Sequence, residues 1–442
     1  PRTEEEIDAF LADDSPNAYE KVVDRLLDSP HYGEHMARYW LDQARYGDTH
    51  GLHLDNERSL WPYRDWVIRA FNNNKRFDEF TVEQIAGDLL PNPTLEQRVA
   101  TGFNRCNVTT SEGGSIDEEY RVRYAVDRVE TTSTVFLGLT LGCAVCHEHK
   151  YDPISQQEFY QLFAYFNNVT EKPMDGNALL PPPTVQVPEP GQLEQKMSLE
   201  SKVASAEVTI QAEADKFAYT EPPAGAQAGD ASKSLLAWEQ AEKGKEKSTL
   251  PGPIQEIFKL EPDMRSAEQR KQLRAYYVVN AYSESRSTFD PPNAQLAELR
   301  KQLADLNSGI PATMVMQDST TMRPAYLLVR GAYDNHGEEV FHGVPKAIRP
   351  PLPPDAPKNR LALARWLVDP DHPLTSRVAV NRYWQQYFGT GIVKTAEDFG
   401  SQGEWPSHPE LLDWLAVEFI ESGWNVKHMQ KLIVMSATYR QT

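Results

Sequence analysis

Between residues 1 and 170 the apolar positions recur every three or four residues, the spacing of a single helix face, and turn residues punctuate the segments. Residues 18–27, opened by Ser15 and Asn17, place Val22, Leu26 and Leu27 on one face. Residues 31–46 do the same with Met36, Trp40, Leu41 and Ala44. Pro62 stands near the start of a helix over 63–71, where proline is well tolerated. Shorter helices are predicted over 78–90 and 95–103. Ser115 and Glu118 have the spacing of a capping box ahead of a long helix over 116–137. A second such pair, Ser155 and Glu158, opens a helix carrying Phe159, Tyr160, Phe163 and Phe166.

The pattern then changes. Residues 171–190 are proline-rich and predict an extended linker. Leu199, Val203, Ala206 and Ile210 follow at alternating four- and three-residue steps, and Leu296, Leu299, Leu303 and Leu306 repeat the pattern. The two runs predict an antiparallel, coiled-coil-like helical pair, with 221–250 as a mobile excursion between them. The β-signal is concentrated in 313–316 and 326–330, which predict a small sheet around a short polar connection. Four more helical segments are expected over 360–368, 377–388, 408–422 and 426–438. The fold class is therefore mainly α: a helical domain over 1–170, a linker and helical insertion over 171–310, and a small β element with a C-terminal helical domain over 311–442.

Composition narrows the classes of function. Hydrophobic content of 40% with 25% charged residues is ordinary for a globular chain, and no stretch has the apolar length of a membrane span. The net charge of −19 disfavours nucleic acid and anionic lipid as partners and favours a basic protein. There is no P-loop, no Gly-x-Ser-x-Gly elbow and no His-Glu-x-x-His pattern. The sequence starts at Pro1 without an initiator methionine, as expected of a processed or trimmed piece of a longer product.

The densest chemistry is Cys143-Ala-Val-Cys146-His147. Two thiols three residues apart can each add across a vinyl group of one haem, and the following imidazole can then ligate the iron from the same turn. The chain has three cysteines, so Cys106 is left over. A thioredoxin-like dithiol would need a βαβ context that the pattern lacks. Zinc held by Cys143, Cys146, His147 and His149 would draw all four ligands from one short loop, whereas structural zinc sites combine distant pairs.

Further motifs carry a family resemblance. Tyr32-Gly-Glu-His-Met-Ala-Arg-Tyr-Trp-Leu41, Ala44-Arg-Tyr-Gly-Asp-Thr-His-Gly51, Gly87-Asp-Leu-Leu-Pro91, Ser111-Glu-Gly-Gly114 and Asp127-Arg-Val-Glu-Thr-Thr132 accompany the cysteine motif. Near the C-terminus stand Pro373-Leu-Thr-Ser-Arg-Val-Ala-Val-Asn-Arg382, Phe399-Gly-Ser-Gln-Gly403 and Ser436-Ala-Thr-Tyr-Arg440. Together they resemble the planctomycete cytochrome c family, exported proteins of Planctomycetes and Verrucomicrobia with a companion PSD-type C-terminal domain. The resemblance covers about 1–170 and 310–442. It implies export to the periplasm or cell exterior, an internal fragment truncated at both ends, and a link to polysaccharide-related substrates.

On these readings one covalent haem c is held by Cys143, Cys146 and His147, with His147 as the proximal iron ligand. His50 and His53, in Asp48-Thr-His-Gly-Leu-His-Leu-Asp55, are the candidates for the opposite face, or for a separate metal with the two aspartates. Arg128 is a candidate for a haem propionate, with Arg45, Arg121, Arg123 and Lys150 as further options. Asp369, Asp371, His372, Arg377, Asn381 and Arg382 form a second polar cluster, for a sugar or for caps and ion pairs. The function expected is monohaem electron transfer coupled to a periplasmic or extracellular oxidation through a redox partner protein. The alternatives are a haem-dependent enzyme acting on peroxide or carbohydrate, with His50 or His53 as a distal acid–base group, and a structural subunit of an oligomeric extracellular assembly.

Overall fold

The computed structural model describes residues 3–52, 55–223, 229–245 and 247–441. It is mainly helical, and its chain divides into two units: residues 1–187 with 312–442, and residues 188–311. Among the described residues no helix is long and apolar enough to cross a membrane.

The first unit begins with α1 (Glu4–Leu11), α2 (Ala18–Leu27), α3 (His31–Gln43), α4 (Trp61–Asn72), α5 (Phe77–Ala86) and α6 (Leu95–Ala100). Then come α7 (Asp117–Thr132) and α8 (Gln156–Phe163). The face read for 31–46 is buried at Met36, Trp40 and Ala44, whereas α2 buries Val23 and leaves Leu26 of the expected face exposed. Met36, Trp40, Trp66, Phe80, Phe103 and Phe136 converge in one aromatic core. Gln84 is the polar group inside it, accepting from Trp40 Nε1 at 2.8 Å and from the Tyr63 hydroxyl at 2.7 Å.

Two helix starts show what decides a cap. Ser155 and Glu158 form the expected capping box on α8, each side chain meeting the other's backbone N–H. Ser115 does not cap α7. The N-cap is Ile116 with no side-chain bond, Ser115 N–H is spent on Glu112, and Glu118 pairs with Arg121. The helix expected to run to 137 also stops earlier. Its last residues, Ser133–Leu137, widen into a π-turn that ends on Gly138 in the left-handed conformation.

The second unit contains α9 (Pro190–Lys216), α10 (Leu235–Lys243), α11 (Gly252–Phe258), α12 (Ala267–Asn280) and α13 (Arg286–Gly309) around its own core. Leu199, Ile210 and Leu296 are buried as the leucine steps require. Phe217 meets Phe289 while Glu207 meets Arg300, so α9 and α13 run antiparallel. The stretch 221–250 is more than an excursion. Residues 224–228 and 246 lie outside the described residues, but α10 buries Trp238 and pairs Glu239 with Arg265 of the same unit.

The chain leaves the first unit after β1 (Thr184–Gln186) and re-enters it in β2 (Ala312–Met314), which pair antiparallel with Gln186 opposite Ala312. A second ribbon joins β3 (Ala325–Leu328) to β4 (His336–Val340). The two β segments expected to pair with each other therefore each pair elsewhere. The last helices are α14 (Arg360–Leu367), α15 (Thr375–Phe388), α16 (Pro409–Glu421) and α17 (Val426–Met435). They join the core of α3–α5: Phe77 packs on Phe419 and Trp424, and its N–H bonds Trp424 O at 3.0 Å. The first and third expected segments thus share one core.

Candidate functional site

After Gly138 the chain forms a tight 3-10 turn, Leu141–Val145. With three residues per turn, positions 143 and 146 lie on one side and 141 and 144 on the other. Leu141 and Ala144 are buried, whereas Cys143, Cys146 and His147 are exposed, and both thiols are free. Apolar anchoring inward is thus what presents the two sulfurs outward.

The turn is held from three directions. From α8, the Tyr160 hydroxyl and Gln156 Nε2 both donate to Val145 O at 2.9 Å, and Gln156 N–H donates to Glu148 Oε2 at 3.0 Å. From α7, Glu130 packs so closely that a Cβ on Gly142 would lie 2.5 Å from its carboxylate oxygen. Burial, with Asp127 nearby, raises the Glu130 carboxyl above its ordinary range. From the segment after β3, Gly331 (φ +71°) leaves room for Cys146, because a Cβ there would stand 3.0 Å from its Sγ. Neither Gln156 nor Gly331 carried a sequence signal that sets it apart from an ordinary helix-start glutamine or turn glycine.

His147 Nδ1 lies 2.6 Å from Glu148 O, which can only accept. The ring hydrogen therefore sits on Nδ1 and the Nε2 lone pair is left available on an exposed ring, the tautomer in which a histidine ligates a metal. His149 points the other way. It is buried, its Nε2 bonds Thr140 O at 3.0 Å, and its Nδ1 accepts Asp152 N–H at 2.8 Å. The four zinc donors weighed above are thus split between surface and interior, and among the described residues no group of three or more His, Cys, Asp or Glu is arranged to hold a metal. The donor set that remains on the surface, two thiols and one imidazole, suits a haem attached through thioethers.

The other expected site residues lie elsewhere in the unit. His50 is 3% exposed, and its Nδ1 accepts Leu52 N–H at 3.3 Å, so its ring hydrogen sits on Nε2. It lines a recess with Arg58, Arg105, Cys106, Lys172 and Asp175, and none of Cys143, Cys146 and His147 lines it. With the hydrogen on Nε2, that nitrogen has no lone pair for an iron. His53 lies outside the described residues. Arg128 is buried and fully used: it forks onto Glu171, its Nε donates to Asn104 O at 2.8 Å, and it reaches Asn107 Oδ1 at 3.0 Å. A propionate would have to displace one of these partners. Arg45, Arg121 and Arg123 likewise pair with Asp127, Glu118 and Glu119, while Lys150 stands over the Tyr151 ring.

The C-terminal polar cluster is dispersed into separate structural tasks. Arg377 pairs with Asp413, and Asn381 bonds both the N–H and the carbonyl of Val393. Arg382 donates to Thr134 O and Val135 O, anchoring the π-turn ahead of the cysteine motif. His372 is buried against Trp366, its Nδ1 accepting Leu374 N–H at 3.2 Å, and burial pushes its pKa down to about 4. Because the folded value lies below the ordinary 6.5, the unfolded chain binds this proton more readily. Stability from His372 is therefore full above pH 6.5 and lost as pH falls towards 4, amounting to about 3 kcal/mol. Urea midpoints measured from pH 7 to pH 4 will fall more steeply for the native chain than for His372→Gln; parallel curves would refute this.

Residues 1–171 match a family model described as PSCyt2, protein of unknown function (DUF1549). Residues 359–442 match one described as PSD1, protein of unknown function (DUF1553). Both names fit the planctomycete cytochrome c-type naming that the motifs resemble. No curated protein matches the chain, and no solved structure matches it.

Proposed function

We propose that this chain carries one covalent haem c on Cys143, Cys146 and His147 and transfers electrons outside the cytoplasm. The observation that carries the reading is the 141–147 turn, where two free thiols and an imidazole with its Nδ1 hydrogen on Glu148 O share an exposed surface. When bound there, haem supplies one-electron redox chemistry. The work of the chain's own residues is positional. Leu141 and Ala144 anchor the turn, Gln156 and Tyr160 fix Val145, and Glu148 O orients the His147 ring.

Attachment at a surface turn suits exchange with a partner protein, and the net charge of −19 favours a basic one. Haem c is attached after export, so the periplasm or cell exterior is the proposed location, with the polysaccharide-related electron source that the motif resemblance implies. A distal acid–base role for His50 draws no support from its recess, which the cysteine turn does not line. The test is expression through an export pathway with c-type maturation. Expected are one haem mass per chain that survives denaturation and a c-type α-band on reduction. A chain of unmodified mass would overturn the proposal.

A further inference from the structure

The recess that His50 lines sits in a buried cluster whose charges do not cancel. Arg58, Arg105 and Arg128 are all buried, and the buried carboxylates they meet are Glu171 and Asp175. Asp175 takes Arg58, and Glu171 takes the fork of Arg128. Arg105 is left with a 3.4 Å approach to the same Glu171 and with carbonyl oxygens, including Val315 O at 2.9 Å. Three guanidiniums thus face two carboxylates in a place where an uncompensated charge is costly. Burial, together with Arg128 and Arg58, pulls Arg105 down to about 10, the direction expected of a cation short of a partner. Lys172 also lines the recess and makes no ion pair among the described residues, which adds a further positive charge.

The second observation is His50 itself. Its Nε2 hydrogen is buried, borders the recess and has no hydrogen-bond partner among the described residues. The site therefore lacks two things, a negative charge and an acceptor atom. A water would supply only the acceptor, an apolar guest would supply neither, and a cation would be repelled.

We propose that this recess binds a small molecule through an oxyanion group, which accepts from His50 Nε2–H and pairs with Lys172. The binding is a property of the polypeptide and needs no haem. It is tested on the haem-free full chain by calorimetry with inorganic phosphate, sulfate and acetate, at ionic strength held constant with sodium chloride. Saturable binding of at least one probe at one site per chain is expected. Tighter binding of acetate identifies a carboxylate ligand, and tighter binding of phosphate or sulfate a tetrahedral one. His50→Gln and Lys172→Gln should each weaken the dissociation constant at least tenfold, while Lys301→Gln in the second unit leaves it unchanged. Lys172 is exposed, so its variant remains informative even where the His50 variant folds poorly. Absence of saturable binding for all three probes, or unchanged binding in Lys172→Gln, would overturn the proposal.

Discussion

Replacing Cys143 and Cys146 together with alanine will leave a folded chain that carries no covalent haem. Both side chains are exposed and neither is in a disulfide, so the stability change expected is within about 0.5 kcal/mol. On the proposed attachment the chemical change is all-or-none, each thiol bonding one vinyl group. Intact mass after denaturation should drop by one haem relative to the parent, and the reduced α-band should vanish from the protein fraction. Each single variant retains one thioether and shifts the band instead of removing it. On the same proposal His147→Ala should keep the covalent mass but remove the imidazole that would ligate the iron, so its spectrum should differ from the parent's. His50→Gln leaves mass and spectrum unchanged, since His50 borders a recess that the cysteine turn does not line. Haem retained by the double alanine variant would refute attachment at this turn.

The second large effect is structural. Arg360→Met will destabilise the first unit by about 3–5 kcal/mol, the range for removing one partner of a buried ion pair. Arg360 is completely buried. It forks onto Asp88 at 2.7 and 2.9 Å, reaches Asp318 at 3.0 Å and donates to Ile85 O at 2.7 Å. One guanidinium thereby joins α14 to the end of α5 and to the segment after β2. Methionine fills a similar volume but leaves both carboxylates, largely shielded from solvent, without their cation. The unfolding midpoint in urea should fall sharply at pH 7. Adding Asp88→Asn and Asp318→Asn to the methionine variant should restore much of the loss even at pH 7. A methionine variant with the parent's midpoint would show that this cluster contributes nothing net.

Which features were legible in the sequence depended on the range of the interaction that decides them. Helix 18–27 follows from its own apolar period, and α8 from a capping box complete within four residues. The cysteine turn is equally local. Ser115 and Glu118 had the same spacing as Ser155 and Glu158, but Arg121 competes for Glu118 and no reciprocal box forms. Strand partners were not legible, because the residues at 312–314 pair with 184–186 across the whole second unit, and no local turn signal marks such a register. The site divided the same way. Cys143, Cys146 and His147 are neighbours in sequence and lie exposed on one turn, whereas Arg128 is claimed by Glu171, a residue 43 positions away. His50 was placed by its bond to Leu52 and by the recess, and nothing in its octapeptide indicates which way the ring faces.

The antiparallel pairing of β1 with β2 also ties closure of the first unit to the order of the residues between the two strands. Taken alone it is a hairpin whose connecting loop is the entire excursion 188–311. Closing a disordered loop of roughly 120 residues costs about 3 kcal/mol more in chain entropy than closing a four-residue turn. Once α9 lies antiparallel to α13, the two ends of that loop return to the same end of a helical pair, and most of the cost disappears. Order in the inserted unit therefore lowers the entropic cost of closing the ribbon. A lesion in it, such as loss of the Arg265–Glu239 pair, should slow the closing of the β1–β2 ribbon.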